Sequence, residues 1–346
     1  MNAQLSPVAD PNAQQPHMRR PRLGFLGVGW IGRQRMQALA DSNAARIVAI
    51  ADADAHCARA AVHDIAGADV VADLDALLER DLDGMVIATP SGLHAAQAIA
   101  ALERGLAVFC QKPLARTAAE TQAVVAAAQR ADRLLGVDFS YRAVAGVPEL
   151  RALVRGGALG DIYAIDLTFH NAYGPDKPWF GDLAQAGGGC VMDLGIHLVD
   201  LARWVCGDDA DIESVHAQLC AQARPLQRPV AELEDYASAQ WRSRRGIAHR
   251  MACSWRLPAG RDAIIEAAFY GSHGGAALRN VDGSFYDFTV EHFDGTARQR
   301  LAGPPDTWGG RLLVQWAQRL AHGDCFDAEA WSLVEVARVV DGIYGR

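Results

Sequence analysis

The sequence predicts an α/β protein in which a doubly wound parallel sheet is followed by an α+β domain. Three observations lead to this prediction. Apolar strand segments alternate with helical segments through residues 21–140, which is the pattern of a parallel sheet with crossover helices. A glycine-rich turn, GVGWIG, joins the first strand to the first helix. Residues 141–346 instead hold several successive strand segments, which favours a predominantly antiparallel sheet.

The first strand, RLGFL, leads into the turn, where Gly27, Gly29 and Gly32 have the spacing GxGxxG. Glycines at these positions allow a tight turn, a close approach of the backbone to a pyrophosphate, and close packing of helix on strand. The N-terminus of the following helix offers free N–H groups and a partial positive charge to phosphates. Trp30 and Ile31, between the second and third glycines, complete this part of the predicted cofactor site.

The second strand, ARIVAIADAD, ends at Asp52, twenty residues beyond Gly32. An acid at this place can accept both hydroxyls of the adenosine ribose and repels a 2′-phosphate. No Lys or Arg immediately follows Asp52, so NAD is favoured over NADP. The alternative is that Asp52 caps the next helix, a role for which Asp54 is the better candidate.

The later strands of the first half are GMVIATP, LAVFCQKP and RLLGVDF, with helices between them. Ligands of such sheets bind beyond the carboxyl ends of the strands, so TPSGLH and QKPLA point at the cofactor. Lys112 precedes a proline, which keeps its backbone extended and lets its amine reach the crevice. The alternative for Lys112 is a solvated surface position. The predicted contacts are Thr89, Pro90, His94, Gln111 and Lys112.

The stretch GGGCVMDLGIHLVD, residues 187–200, is a second candidate for chemistry. A helix would place Asp193 and His197, four residues apart, on one face as an acid/base pair. Gly195 makes that helix weak, because glycine costs about 1 kcal/mol relative to alanine in a helix interior. The alternative is a structural turn followed by a half-buried helix.

Composition limits the function further. Half of the 346 residues are apolar, and the net charge of −8 argues against a general nucleic-acid binder. No apolar run is long enough to span a membrane. Residues 1–20 lack the apolar segment of a secretory signal and are predicted to form a flexible tail. The seven cysteines show no metal-binding spacing, which favours reduced thiols in a cytoplasm and no metal site.

With GVGWIG, Asp52, ATPSGLH, QKP and GGGCVMDLGIHLVD in this order, the sequence resembles the Gfo/Idh/MocA oxidoreductases. The likeness covers nearly the whole chain from residue 21. It implies a Rossmann domain and then an α+β domain whose large open sheet commonly forms the oligomer interface, in a homodimer or homotetramer. It also implies hydride transfer between a nicotinamide cofactor and a secondary alcohol or ketone of a sugar, polyol or sugar derivative.

The resemblance also assigns residues. The family's Glu-Lys-Pro motif matches QKP, which makes Lys112 the catalytic lysine, and Gln111 replaces the usual glutamate. The family's G-G-G-x-x-x-D-x-G-x-H stretch makes Asp193 the substrate-binding acid and His197 the catalytic histidine. His197 would take the proton of the alcohol, and Lys112 would stabilise the charge that develops on the same oxygen. The glycines before Asp193 are expected to let the backbone pass close to the active site.

The second domain supplies further candidates. Trp179, in the loop GPDKPWF, is predicted to bind substrate with Lys112, Asp193 and His197. The final helix, EAWSLVEVARVVDGIY, is expected to pack, with the first domain as one partner. Two other functions occur on the same scaffold, NAD-dependent glycosidases and ligand-sensing regulators; the presence of both Lys112 and His197 counts against a regulator. Other residues that could line a substrate pocket are Arg142, His170, Tyr173, Lys177 and Trp255.

Overall fold

The computed structural model of the protein describes residues 19–63, 65, 67–207 and 212–346, so most of the predicted tail lies outside the described residues. Residues 22–137 form the first sheet. Its strands are β1 (Arg22–Leu26), β2 (Arg46–Ala51), β3 (Asp69–Val70), β4 (Gly84–Ile87), β5 (Ala107–Cys110) and β6 (Leu135–Val137). The helices between them are α1 (Trp30–Ser42), α2 (Ala55–His63), α3 (Leu74–Leu78), α4 (Ser91–Glu103) and α5 (Ala118–Ala131).

The six strands are all parallel and lie in the order β3-β2-β1-β4-β5-β6, which confirms the predicted doubly wound sheet. Strands β4 and β5 are buried along their whole length, because helices cover both faces of the sheet. All carboxyl ends lie at one edge. The chain leaves β1, β2, β4 and β5 there, and the segments that follow these strands hold the predicted cofactor residues.

The second sheet has nine strands in the order β15-β14-β13-β12-β7-β11-β10-β8-β9. All neighbours are antiparallel except β7 and β11, which confirms the predicted antiparallel character. Its strands are β7 (Ile162–Asn171), β8 (Ile212–Ala221), β9 (Arg224–Pro225), β10 (Tyr236–Ser243), β11 (Ala248–Ser254), β12 (Ala263–Gly271), β13 (Gly275–Asn280), β14 (Phe288–Asp294) and β15 (Ala297–Ala302).

The remaining helices connect the two sheets. Helix α8 packs on β7 and β12, α10 packs on α8 and on α5 of the first sheet, and α9 packs on α1 and β5. Trp316 of α9 lies 5.7 Å from the ring of Phe109 in β5. Packing is therefore continuous from the first sheet to the second. The helices are α6 (Val147–Arg155), α7 (Leu183–Ala186), α8 (Ile196–Cys206), α9 (Arg311–Ala321) and α10 (Ser332–Tyr344), with a π-helical turn at Val191–Gly195 before α8.

The second sheet has one face that packs against helices and one that is exposed. Along β7, Ile165, Leu167 and Phe169 alternate with partly exposed residues and face the helices. The opposite face carries charged cross-strand pairs. Arg250 contacts Asp166 at 2.8 Å, and 69% of the Arg250 side chain is exposed. This face is polar at its surface.

Candidate active site

A cleft of about 760 Å³ lies between the carboxyl edge of the first sheet and the segment 176–197 that precedes and begins α8. Both sides contribute side chains, so residues far apart in sequence meet there. Gly32 and His94 are not among the residues that border it. The predicted site residues that do are Gly27, Gly29, Trp30, Ile31, Asp52, Thr89, Pro90, Gln111, Lys112, Trp179, Asp193 and His197.

The three glycines of the turn between β1 and α1 serve two different functions. Gly27 has φ +87°, and a Cβ on it would lie 2.6 Å from the carbonyl group of Ala88. A Cβ on Gly32 would lie 2.4 Å from the carbonyl oxygen of Gly27. A Cβ on Gly29 would meet no atom within 4 Å. Gly27 and Gly32 therefore permit chain packing, and Gly29 leaves open space at the start of α1, where no side chain caps the helix. This shape fits a pyrophosphate.

Asp52 lies at the end of β2 with both carboxylate oxygens in contact with backbone. Its Oδ2 accepts from Val28 N at 2.7 Å, and its Oδ1 accepts from Asp54 N at 2.8 Å. A carboxylate offers about four acceptor positions, so two remain for ribose hydroxyls. Asp54 accepts from His56 N at 2.8 Å at the start of α2, so the capping role falls to Asp54. Asp73 borders the same end of the cleft and adds a second negative charge.

His94 lies behind the wall of the cleft, away from the position expected for a cofactor contact. The residue is only 1% exposed. Its Nδ1 lies 2.7 Å from the carbonyl oxygen of Pro113, and its Nε2 lies 2.7 Å from that of Thr89. Burial lowers the pKa of His94. The imidazole thus ties together the turns that follow β4 and β5, and it shapes the cleft indirectly.

Lys112 reaches across from the end of β5 to the segment that begins α8. Its Nζ donates to the carbonyl oxygen of Asp193 at 2.7 Å and to the carboxylate Oδ1 at 2.8 Å. Trp255 Nε1 donates to the other oxygen, Oδ2, at 3.0 Å. The side chains of Lys112 and Asp193 are only 18% and 16% exposed. Lys112 is therefore an oriented cation of the cleft and not a solvated surface lysine.

His197 lies in the first turn of α8 and is 9% exposed. Burial lowers its pKa well below the ordinary value, and the positive charges of Lys112 and Arg35 lower it further. The ring packs edge-on against Tyr141 at 5.1 Å and Phe139 at 6.1 Å. Within the part of the chain that the structure describes, Nδ1 has no hydrogen-bond partner. The imidazole is thus held in its neutral form, which can take up a proton.

The segment from Val191 to His197 is not the regular α-helix that the i, i+4 spacing predicts. Val191–Gly195 is a π-helical turn, and the α-helix begins only at Ile196. Asp193 lies in the wider turn and His197 in the helix that follows, and both border the cleft. Single π turns of this kind occur frequently at functional sites.

The glycines before this turn permit close packing in addition to the expected approach of the backbone to the active site. A Cβ on Gly188 would lie 2.1 Å from the Tyr344 hydroxyl, and one on Gly189 would lie 1.9 Å from the carbonyl oxygen of Glu234. These glycines make room for groups from elsewhere in the chain. Gly188 also borders the cleft, so the backbone does pass it there.

Glu234 and Tyr344 together bind the backbone at the start of the π turn. Glu234 is fully buried, and its carboxylate accepts from Gly189 N at 2.9 Å, Val191 N at 2.8 Å and the Tyr344 hydroxyl at 2.8 Å. The Glu234 carbonyl oxygen accepts from Cys190 N at 3.0 Å. The Tyr344 hydroxyl accepts from Met192 N at 3.2 Å. The N–H groups of residues 189–192 are all satisfied in this way, which fixes the turn. No motif in the sequence pointed to either residue.

The sequence motifs also do not identify a buried cluster of polar side chains at the end of β6. Arg35 Nε donates to Asp138 Oδ2 at 2.6 Å, and the Gln111 amide donates to the same oxygen. The side chains of Arg35 and Asp138 are 6% and 1% exposed. The only sequence signal is a charged residue on the apolar side of α1, next to the buried Met36.

The substrate-side candidates divide into two groups. Trp179 and Lys177 border the cleft, and Trp179 stacks on Phe180 at 3.8 Å. Phe180 meets Trp255 edge-on at 6.1 Å, so three aromatic rings lead to Asp193. Three other candidates are not among the residues that border the cleft: Arg142 pairs with Asp200, His170 contacts Ser254 and Tyr173 donates to Asp262.

Within residues 19–63, 65, 67–207 and 212–346, no three His, Cys, Asp or Glu residues are grouped as ligands for a metal ion. None of the described helices combines the length and the apolar character needed to cross a membrane.

Comparisons with known proteins agree with this architecture. Residues 21–139 match the oxidoreductase family with an NAD-binding Rossmann fold, and residues 147–277 match the GFO/IDH/MocA C-terminal domain. The chain is 29% identical to D-apiose dehydrogenase of Paraburkholderia graminis, over 86% of this chain and 76% of the relative. It is 27% identical to the rhizopine catabolism protein MocA of Rhizobium meliloti, over 90% and 98%.

Among solved structures, the chain is similar to an oxidoreductase domain protein from Kribbella flavida, with a TM-score of 0.82, 26% identity and coverage of 94% and 96%. A levoglucosan dehydrogenase in complex with NADH and L-sorbose has the same fold, with a TM-score of 0.80, 22% identity and coverage of 94% and 96%. The cleft, the two sheets and the matched domains lead to one conclusion: the chain belongs to the Gfo/Idh/MocA oxidoreductases.

Proposed function

We propose that this protein interconverts a secondary alcohol and a ketone of a sugar, polyol or sugar derivative, with NAD as cofactor. The observation that carries the proposal is the meeting of Lys112, Asp193 and His197 in the cleft that the glycine turn also borders. When bound, NAD accepts or supplies the hydride. The names of the relatives support the substrate class, because they include dehydrogenases of D-apiose, inositol and levoglucosan.

We assign the transfer of the substrate proton to His197. In the oxidative direction the neutral imidazole takes the proton of the substrate hydroxyl, and in the reductive direction the imidazolium returns it. A lowered pKa keeps the base form available at and below neutral pH. Burial against Tyr141 and Phe139 holds the ring in one orientation.

Lys112 stabilises the charge that develops on the same oxygen, a role typically worth about 3–4 kcal/mol. Asp193 holds the ammonium group, and Trp255 holds Asp193. The carboxylate retains acceptor positions for a neighbouring substrate hydroxyl. Asp193 thus acts as both an anchor for substrate and a positioning group for the lysine.

The aromatic rings of Trp179 and Phe180 form the other wall of the substrate region. A sugar ring has an apolar C–H face, which suits an aromatic surface, and hydroxyls at its edge, which suit Asp193 and Lys177. Cofactor selectivity is assigned to Asp52, with Asp73 beside it, because two carboxylates oppose a 2′-phosphate. NAD is therefore favoured over NADP.

The two parts of the chain have different roles. Residues 21–140 bind the cofactor, and residues 141–346 supply substrate contacts and self-association. We place the interface of a homodimer or homotetramer on the exposed face of the second sheet. We also place the protein in the cytoplasm and assign it no nucleic-acid or membrane partner. The cytoplasmic location is supported by the seven cysteines, none of which forms a disulfide bond.

The two rival functions have less support. The relatives that the chain resembles are named as dehydrogenases, not glycosidases. A sensor needs no proton acceptor beside an oriented lysine, yet both are present here.

A screen tests the proposal. The purified protein is incubated with NAD or NADP and with polyols, aldoses, uronic acids and nucleotide sugars, and NADH absorbance is followed. We expect at least one secondary alcohol to be oxidised, with reduction of NAD to NADH. Hydrolysis of a glycoside with no net change in NADH would contradict the dehydrogenase assignment.

A further inference from the structure

Asp138 is a buried carboxylate at the end of β6 that the catalytic assignment does not use. Its side chain is 1% exposed, and its Oδ2 accepts from Arg35 Nε at 2.6 Å. The Arg35 Nη2 also lies 3.5 Å from Ser140 Oγ. The carboxylate and the guanidinium, which always carries its charge, form a buried ion pair. The Arg35–Asp138 pair is thus a fixed unit on the wall of the cleft.

This pair determines the orientation of Gln111. An amide side chain has a donor nitrogen and an acceptor oxygen, whereas an ionised carboxylate only accepts. The amide nitrogen of Gln111 must therefore face Asp138, as it does in the structure. The amide oxygen, Oε1, is the polar atom that Gln111 retains for a ligand, and Gln111 borders the cleft beside Lys112.

The contact between Gln111 and Asp138 also explains why this chain has glutamine at a position where the family has glutamate. A glutamate at position 111 would place a second carboxylate against Asp138, and two carboxylates sharing a site cannot both ionise without a large cost. In this chain the negative charge lies on Asp138, and an acceptor oxygen remains at position 111. Gln111 and Asp138 are a matched pair.

The strand order indicates which ligand this acceptor meets. Asp52, assigned to the adenosine ribose, follows β2, whereas Gln111 and Asp138 follow β5 and β6 on the other side of β1. A dinucleotide that extends along the strand ends therefore brings its nicotinamide to Gln111. The carboxamide group attached to the nicotinamide ring supplies its N–H donors.

We propose that Asp138, held by Arg35, positions the Gln111 amide so that its Oε1 accepts a hydrogen bond from the carboxamide of bound nicotinamide. The inference rests on the proposed binding of NAD in this cleft. Gln111 is the contacting residue, and Asp138 and Arg35 are positioning residues.

Calorimetric titration with three probes tests the contact. NAD is compared with 3-acetylpyridine adenine dinucleotide, which has a methyl ketone in place of the carboxamide and so lacks the N–H donor, and with ADP-ribose, which lacks the ring. We expect the unmodified protein to prefer NAD over the acetylpyridine analogue by about 3- to 10-fold, as one hydrogen bond provides. Gln111→Met should abolish this preference and leave ADP-ribose binding unchanged.

Three further variants test the positioning role. Asp138→Asn frees the amide to rotate and should reduce the preference. Gln111→Glu should lower the melting temperature and weaken NAD binding, and Gln111→Glu with Asp138→Asn should restore both, because the neutral Asn removes the repulsion between the two carboxylates. The control is Gln37→Met, the same substitution on the exposed side of α1, where the Gln37 amide donates to Asp41 Oδ1 at 2.7 Å.

An unchanged preference in Gln111→Met would overturn the inference, as would a change confined to the KM of the substrate. Failure of the unmodified protein to bind ADP-ribose would instead overturn the cofactor assignment itself. The two failures are therefore distinguishable.

Discussion

At the residue scale, the chemistry depends on the coupling of two side chains, Lys112 after strand β5 and His197 in helix α8. The ammonium group of Lys112, fixed by Asp193, lowers the pKa of His197 in addition to the effect of burial. A neutral histidine beside an oriented cation is suited to accept a proton from an alcohol whose oxygen the cation also contacts.

The pH profile of oxidation should report this coupling. His197 is active when neutral, so kcat/KM should fall only at pH values below about 6.5, the ordinary pKa of histidine. Lys112→Met removes a positive charge that disfavours the imidazolium, so the pKa of His197 should rise and the acid limb should move to higher pH by roughly one unit. An acid limb that stays in place, or moves to lower pH, would show that Lys112 does not act on His197.

Asp52 should control the choice of cofactor. Asp52→Ala removes the ribose acceptor and a charge that repels the 2′-phosphate, so the preference for NAD over NADP should narrow, mostly through weaker NAD binding. Titration calorimetry with both cofactors measures the change, and Asp41→Ala on the exposed end of α1 serves as control. Equal or tighter binding of NADP by the unmodified protein would refute the assignment.

The sequence predicts those site residues that lie within short motifs. Gly29, Asp52 and Lys112 stand at positions set by local geometry, either a turn or a strand end. Asp138 and Glu234 could not be predicted in this way, because each acquires its role from partners far away in the chain. Arg35 lies 103 residues from Asp138, and Tyr344 lies 110 residues from Glu234.

At the scale of elements, two turns set the geometry of the cleft. The glycine turn after β1 leaves the start of α1 uncapped, and the π turn before α8 is bound by Glu234 and Tyr344. Helical spacing correctly suggested that Asp193 and His197 act together. It could not show the π turn, because that turn depends on hydrogen bonds from a distant loop and from the last turn of α10.

Substitutions of Gly29 and Gly32 should distinguish an effect on NAD affinity from an effect on stability. Gly29→Ala places its Cβ in open space, so the protein should keep its melting temperature and lose NAD affinity by about tenfold or more, because the methyl group occupies the approach of the pyrophosphate. Gly32→Ala places its Cβ 2.4 Å from a backbone oxygen and should lower the melting temperature. Thermal unfolding with and without NAD measures both. Normal NAD affinity in Gly29→Ala would remove the glycine turn from the cofactor site.

At the scale of the whole molecule, the two sheets differ in how far the sequence determines them. Alternating strands and helices define the parallel sheet, because each βαβ crossover allows few arrangements. In the second sheet, β7 pairs with β11 and β12, so its neighbours come from much later in the chain. That order depends on long-range packing around α8, which local periodicity does not report.

The second sheet should also mediate self-association. Its exposed face carries charged pairs such as Arg250–Asp166, which can form complementary contacts with a second copy. Light scattering at micromolar concentration should give a mass about twice the chain's 37.1 kDa or more. Arg250→Glu creates like charges beside Asp166 and should lower that mass, whereas Arg104→Glu on the first domain should not. A mass near 37.1 kDa for the unmodified protein would count against this interface.

The central claim is that Lys112 and His197 act as a unit on one substrate oxygen, and it is tested most directly by turnover and NADH binding in their variants. With a substrate from the screen, His197→Ala should lower kcat by roughly 10²–10⁴-fold. Lys112→Met should lower it by about 10²–10³-fold. The double variant should be little worse than the worse single one, with NADH still bound in each. Near-normal turnover in both single variants would contradict the account and reduce the segment around Asp193 to a turn and a helix.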